Sequence, residues 1–362
     1  MVRLPVFIER RDIPMKTEII KTTDVHWKEK VKHLGEIIRN GGLVAFPTET
    51  VYGLGGNGLN PEASKKIYAA KGRPSDNPLI LHVSTQEEVS RLVEDITPLE
   101  KKLMDAFWPG PLTIVFPKKD IVPDETSGGL KTVAIRCPAL KATREWIKEC
   151  GVPIAGPSAN ISGRPSPTTA ESVLHDMNGR INAIIDGGAT DIGLESTIVS
   201  ARSGKIVIYR PGGITREMLS AYGEVEVDKG LASPNMHPLA PGMKYRHYAP
   251  TAPLTVYVGD TEKVEQTILS FAEKKDKTYG YFVSEEMAAL LPKDAVVFSW
   301  GKRSSQKEMA HRLFSGLLYF NAHPVDAIIG EGTSMDGLGL AIMNRLTKAS
   351  GYHIIVESTQ DR

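Results

Sequence analysis

Five prolines fall within a span of twenty residues, at Pro234, Pro238, Pro241, Pro250 and Pro253. Each fixes φ and removes a backbone donor, so neither a helix nor a central strand survives that density. The segment divides the 362-residue chain into two parts, each with room for its own core. The reading is a semi-rigid connection over 223–253, between a first domain at 14–222 and a second at 254–362. It is not a bare spacer, because Met243, Lys244, Tyr245, Arg246, His247 and Tyr248 stand in it. Two readings stay open: a basic, solvated hinge, or a strap that packs on a neighbouring domain or closes a site.

After the prolines, strand and helix patterns alternate. Apolar runs predict strands over Leu254–Gly259, Tyr279–Ser284, Val296–Trp300, Asp326–Gly330 and His353–Glu357. Helices are predicted over Glu262–Lys274, Glu286–Leu291, Gln306–Asn321 and Leu338–Ala349. Repeated β-α units with right-handed crossovers give a small, Rossmann-like parallel sheet. The turn after its first strand, VGDTEK, holds a single glycine, so no nucleotide site is expected there. A structural or regulatory role is the default for this domain.

The first part is less regular. Helices are predicted over His26–Asn40, Pro61–Ala70, Pro98–Trp108, Ala139–Cys150 and Thr168–Met177. Strands are predicted over Leu43–Phe46, Leu79–Val83, Leu112–Phe116, Val133–Arg136, Val152–Ala155 (VPIA), Ala183–Asp186, Ser196–Val199 and Ile206–Tyr209. Several strands follow one another with no helix between them, which argues for a mixed α/β sheet. Gly53, Gly55 and Gly58 fit G-x-G-x-x-G, but the preceding strand ends near Phe46, too early for a dinucleotide turn. These glycines are read as shaping a loop.

Composition narrows the function classes. Lys plus Arg number 44 and Asp plus Glu 43, so a polycation that coats nucleic acid is excluded. Cys137 and Cys150 form no disulfide framework or zinc knuckle and read as reduced, buried thiols. The first fifteen residues have no apolar core for a signal peptide, and no apolar run has membrane-spanning length, so a cytoplasmic protein is expected. No Walker A, H-E-x-x-H or G-x-S-x-G motif occurs, and no spaced ligand set for a metal.

What the first part does carry is a set of polar loops at strand and helix ends. They are Pro47–Leu54 (PTETVYGL), Lys71–Leu79 (KGRPSDNPL), Lys131–Arg136 (KTVAIR), Gly156–Gly163 (GPSANISG), Leu194–Thr197 (LEST) and Tyr209–Gly213 (YRPGG). Each alone is an ordinary turn sequence. Together they supply cations, hydroxyls and loop amides in the combination that suits polyphosphate and carboxylate recognition. A deep basic pocket fits them better than a flat basic face.

In their order and content these runs, with the linker PGMKYRHYAP, resemble the threonylcarbamoyl-AMP synthases in their two-domain form. The resemblance covers all but about the first dozen residues. It implies a YrdC-like mixed, twisted sheet domain with a basic cavity, followed by the smaller Rossmann-like domain. It implies condensation of L-threonine, bicarbonate and ATP to threonylcarbamoyl-AMP with release of pyrophosphate. The product would pass to a downstream transferase complex that modifies tRNA. Lys71 and Arg73 of K-x-R and Ser158 and Asn160 of S-x-N would form the catalytic core. Thr48, Thr50, His82, Arg136, Gly156 and Ser196 would lie on the threonine side. Arg73, Asn77, Thr132, Ser158, Ser166 and Arg210 would face the nucleotide, with Tyr245 or Tyr248 reaching back over the pocket.

Taken by itself, His82 on the run LILHVS reads as a core histidine, and Arg210 before Pro-Gly-Gly as an exposed turn residue. The resemblance shifts both towards function. Mg2+ would ride mainly on the ATP phosphates and water, with no ligand from protein side chains. An RNA-binding module without ATP turnover is the alternative, weakened by the near-zero charge and the lack of aromatics among the basic loops. Weak or no direct tRNA binding is therefore expected.

Overall fold

The computed structural model describes residues 16–229 and 247–358. Strands of the first part are β1 (Glu18–Lys21), β2 (Val44–Phe46), β3 (Gly53–Asn57), β4 (Ile80–His82), β5 (Leu112–Pro117) and β6 (Thr132–Arg136). They continue with β7 (Ile154–Ala155), β8 (Ala183–Asp186), β9 (Thr197–Ser200), β10 (Ile206–Arg210) and β11 (Val225–Val227). Among the described residues they form one sheet in the order β1-β8-β2-β3-β7-β4-β6-β5-β9-β10-β11. The pairing is mixed. For example, β2 runs antiparallel to β3, β4 parallel to β6 and β5 antiparallel to β6. The mixed sheet expected from sequence is therefore observed.

Alternation along the strands feeds two cores on opposite faces. In β2, Val44 and Phe46 join Leu34, Ile38, Trp146 and Ile147 from helices Trp27–Arg39 and Lys141–Cys150. Ala45 faces the other way, to a larger core with Ile67, Leu103 and Val173 from helices Pro61–Lys71, Pro98–Phe107 and Ala170–Met177. Both cysteines are buried and unbridged.

Two local readings change. The glycines at 53 and 55 lie in a central strand, β3, and do not shape a loop. A Cβ on Gly53 would sit 2.5 Å from Cζ of Phe46, so the Phe46 ring occupies the space a side chain would take. Leu54 is the strand's one large apolar residue, and the space beside its glycines is filled by neighbours, among them Phe46 and Trp146. Val225–Val227, in the stretch assigned to the connection, pairs in parallel with β10 at the sheet edge. No proline interrupts it, so strand pairing is open to it.

The second part holds β12 (Leu254–Gly259), β13 (Tyr279–Val283), β14 (Val296–Ser299), β15 (Ala327–Glu331) and β16 (Ile354–Glu357). Their order is β14-β13-β15-β12-β16, every pair parallel, as expected. One of its cores, with Phe314, Leu313 and Leu346, also takes in Val51 and Leu194 from the first part and Tyr248 from the connection. His311 Nδ1 meets the carbonyl of Asp191 at 2.9 Å across the same junction. No helix among the described residues is long and apolar enough to cross a membrane.

Candidate active site

The polar loops meet in one cleft, with about 690 Å³ of space between their atoms when the open solvent at its mouth is counted. Its lining includes Lys71, Arg73, Ser158, Asn160, Thr48, Thr50, His82, Arg136, Gly156, Ser196, Arg210 and Tyr248. The cations therefore converge in a concave site, which favours small-ligand chemistry over a flat nucleic-acid face.

The K-G-R run works through a helix end. Asn60 caps the helix Pro61–Lys71, its side chain accepting from Glu62 N, and Gly72 closes it with a left-handed φ of 61°. Lys71 thus faces inward in the last turn while Arg73 leaves at the mouth. Lys71 is buried, and its Nζ donates to the carbonyls of Ser158 and, at 2.5 Å, Asn160. Burial, then the charge of Arg73, holds its pKa well below the usual lysine value. Arg73 is part-exposed and donates to the carbonyls of Asn77 (3.2 Å) and Pro78 (3.1 Å). Loss of water around it brings its pKa down to about 10, which leaves it charged at neutral pH.

In the S-x-N loop, Ser158 Oγ donates to Asn160 Oδ1 (2.6 Å), and Asn160 Nδ2 donates to the carbonyls of Ile161 and Arg164, both at 2.8 Å. Asp176 Oδ2 accepts from Ile161 N at 3.0 Å and pins the loop from behind. These bonds orient Ser158 and the loop amides before any ligand arrives.

On the opposite wall Arg136, at the end of β6, is buried. Its Nη1 donates to Thr50 Oγ1 (2.8 Å), Nη2 to Glu49 Oε1 (2.6 Å) and Nε to the Gly110 carbonyl (3.2 Å). Thr48 Oγ1 accepts from the amides of Thr50 (3.1 Å) and Val51 (3.2 Å) and donates to the Val51 carbonyl (2.6 Å). Thr48 therefore shapes the loop, and Thr50, its hydroxyl donating to Thr48 Oγ1 at 2.8 Å, lines the cleft beside Arg136. His82 is buried beside them. Burial, then the charge of Arg136, lowers its pKa to about 3, so it is neutral at physiological pH. Gly156 passes under the Phe46 ring, where a Cβ would lie 2.9 Å from Cζ.

At the far side Arg210 donates from Nε to the Ser196 carbonyl and from Nη2 to Ser196 Oγ, both at 3.1 Å. Ser196 Oγ also pairs with Thr113 Oγ1 at 2.7 Å. Tyr248 is buried in the wall with a φ of 64°, and its ring packs 5.1 Å from Phe314. Tyr245 lies outside the described residues.

Three expected residues stand outside the lining. Asn77 is buried beside Arg73, which its backbone carbonyl anchors. Thr132 sits at the other end of β6 from Arg136. Ser166 donates to Glu195 Oε1 at 2.7 Å and acts on the cleft through that carboxylate. Glu195 lines the cleft, and sequence reasoning gave it no role. Burial would raise its pKa, but Arg345, Arg210 and the Ser166 hydroxyl hold it down to about 2. Glu49, also missed, accepts from Arg136 and from the Ala139 amide (2.9 Å). Both acids stand in the quoted runs PTETVYGL and LEST. Their partners are far off in sequence, and only the excess of cations over acids in the loops could have pointed to them.

Comparison with known proteins agrees with this geometry. A family profile described as telomere recombination matches residues 36–212, and one described as threonylcarbamoyl-AMP synthase, C-terminal domain, matches residues 214–351. A Bacillus subtilis protein named threonylcarbamoyl-AMP synthase is 46% identical over 94% of this chain and 97% of its own length. One of the same name from Pyrococcus abyssi is 44% identical over 90% of this chain and 95% of its own. Among solved structures, a doubly substituted P. abyssi Sua5 superposes with a TM-score of 0.88 at 42% identity, covering 96% of this chain and 100% of that one. P. abyssi Sua5 complexed with L-threonine gives 0.86 at 43%, covering 94% and 99%. Matched over nine-tenths or more of its length by relatives of one kind, this chain is an enzyme that belongs to the threonylcarbamoyl-AMP synthase family.

Proposed function

We propose that the chain joins L-threonine, bicarbonate and ATP into threonylcarbamoyl-AMP and releases pyrophosphate. The observation that carries this reading is the convergence of Lys71, Arg73, Arg136 and Arg210 on one cleft beside the hydroxyls of Thr50, Ser158 and Ser196. The L-threonine complex of the P. abyssi relative supports placing the amino acid there.

Two displacements suffice. The neutral amine of threonine attacks the carbon of bicarbonate, or of CO2 derived from it, giving N-carboxythreonine; from bicarbonate, water leaves, and from CO2, the amine loses a proton to solvent. A carbamate oxygen then attacks the α-phosphorus of ATP, the bond to the β-phosphate breaks, and pyrophosphate leaves with the electron pair. The protein's contribution is positioning and charge stabilisation. Arg136 spends three N–H groups on described partners; its other two Nη hydrogens suit the threonine carboxylate. Thr50 stands beside it for the amino acid's polar groups. Lys71 commits two N–H groups to carbonyls; a phosphate oxygen brought against it would favour its charged form and take the third N–H. Arg73 at the mouth and Arg210 opposite neutralise the polyphosphate. Neutral His82 adds no charge to the amino-acid side.

Mg2+ is the expected companion of ATP and would neutralise its phosphates. The protein residues do not fit a dedicated site: Glu195 is already bonded to Arg345 and Ser166, and the described residues hold no group of three His, Cys, Asp or Glu side chains that could cage a metal. Phosphate oxygens and water would carry the ion. The product suits transfer by a downstream tRNA threonylcarbamoyl transferase complex in the cytoplasm. The balanced charge of this chain favours little direct tRNA binding.

The test is pyrophosphate release from ATP with Mg2+ and bicarbonate, with and without L-threonine. Threonine-dependent release with a new AMP-containing product is expected. Absence of release with any amino acid would overturn the reading.

A further inference from the structure

Part of the cleft wall is held from the second domain. Arg345, on the helix Gly339–Ala349, is fully buried. Its Nε donates to Glu195 Oε2 at 3.0 Å and its Nη1 to the Pro211 carbonyl at 2.7 Å. Glu195 precedes Ser196, and Pro211 follows Arg210, the two residues that bond to each other in the cleft lining. One guanidinium thus ties down the chain on both sides of the Arg210–Ser196 pair. Its carbon also lies 5.9 Å from the centre of the Tyr248 ring.

We propose that Arg345 is a positioning residue for the nucleotide side of the site, a role that rests on the function proposed above. It touches no substrate. It neutralises Glu195 from behind, so that Arg210 keeps its bonds to Ser196 and its place in the cleft. Without Arg345, Glu195 becomes a buried carboxylate that looks to Arg210 and, on the same helix as Arg345, to the buried Lys348 for its counter-charge. A buried unpaired charge is costly, so Arg210 turns towards it and away from the polyphosphate. The second domain, whose fold alone suggests a structural or regulatory part, then supplies a member of the site's supporting shell.

The test uses the full chain and reads ATP affinity by calorimetry alongside turnover. Arg345→Met should weaken ATP binding about tenfold, the scale of one misplaced charge-assisted contact. Adding Glu195→Gln removes the orphan charge and should bring affinity back to within about threefold of the parent. Arg345→Lys, which keeps the charge and loses the fork, should fall between. General loss of packing would not be repaired by a second substitution that changes only charge. Parent-like ATP affinity in Arg345→Met overturns the proposal, and so does a double variant no better than the single one. If Arg345→Met does not fold, the double variant and Arg345→Lys decide, and a tenfold loss in both would refute the role. A parent chain that binds ATP but releases no pyrophosphate with threonine overturns the proposed function and leaves this comparison intact. A parent that does not bind ATP overturns both.

Discussion

Glu49→Ala breaks a buried ion pair on the threonine side. Its carboxylate accepts from Arg136 at 2.6 Å and from the Ala139 amide at 2.9 Å, and the two side chains are 9% and 4% exposed. Removing it strands a guanidinium that cannot shed its proton, in a setting where water replaces the partner poorly. Breaking a buried pair in this way costs about 3–5 kcal/mol. At about 2–4 °C per kcal/mol for a unit of this size, the thermal midpoint should drop by roughly 6–20 °C. Glu49→Gln keeps one acceptor and the shape, so its loss should be about half that. Arg136→Met should cost a similar amount by stranding the carboxylate. The double variant Glu49→Ala/Arg136→Met strands neither charge, so it should be less damaging than the sum of the singles by at least about 1.5 kcal/mol. Thermal and urea unfolding of the four proteins measure this coupling, and threonine titration reads the accompanying loss of Arg136 aim. A Glu49→Ala protein within about 1 kcal/mol of the parent, with additive singles, would refute the reasoning.

Other outcomes follow from the same geometry. The folded chain refuses a proton at His82 down to about pH 3, while the unfolded chain takes one up below 6.5. Stability should therefore fall as pH drops through that window, by at most about 1.4 kcal/mol per unit, and His82→Asn should flatten the slope in urea midpoints taken near neutral and mildly acidic pH. Gly156→Ala would place a Cβ 2.9 Å from the Phe46 ring and 3.3 Å from His82. A loss of about 1–3 kcal/mol is expected, partly recovered by adding Phe46→Leu, as thermal melts would show. A site that hydrogen-bonds the threonine hydroxyl should reject valine strongly and serine modestly; equal pyrophosphate release with threonine and valine would contradict such a contact.

Much of this was legible in the sequence because local chemistry carries it. The helix Pro61–Lys71 announces itself by Asn60, Pro61 and Gly72, and the second domain by repeated strand-helix periods. Three strands were not legible. β3 is glycine-rich because packed side chains, ring and aliphatic, fill the space beside it, and β1 and β11 are short strands at the sheet edges. At the site, the loops gave the cations but not their counter-charges. Glu49 meets Arg136 across 87 residues and Glu195 meets Arg345 across 150, distances over which no periodicity speaks. Asn77 and Ser166 have in addition local partners that sequence does not reveal: the Asn77 backbone carbonyl anchors Arg73, and the Ser166 hydroxyl holds Glu195.

The ring of Phe46, lying where side chains at Gly53 and Gly156 would be, has an evolutionary consequence. That stretch of the cleft is bare main chain, and main chain offers the same amides and carbonyls whatever the codon. Point substitutions cannot gradually re-contour it: any added side chain must first displace an aromatic ring. Any change in amino-acid preference would therefore have to come from the side chains of the walls, not from this floor.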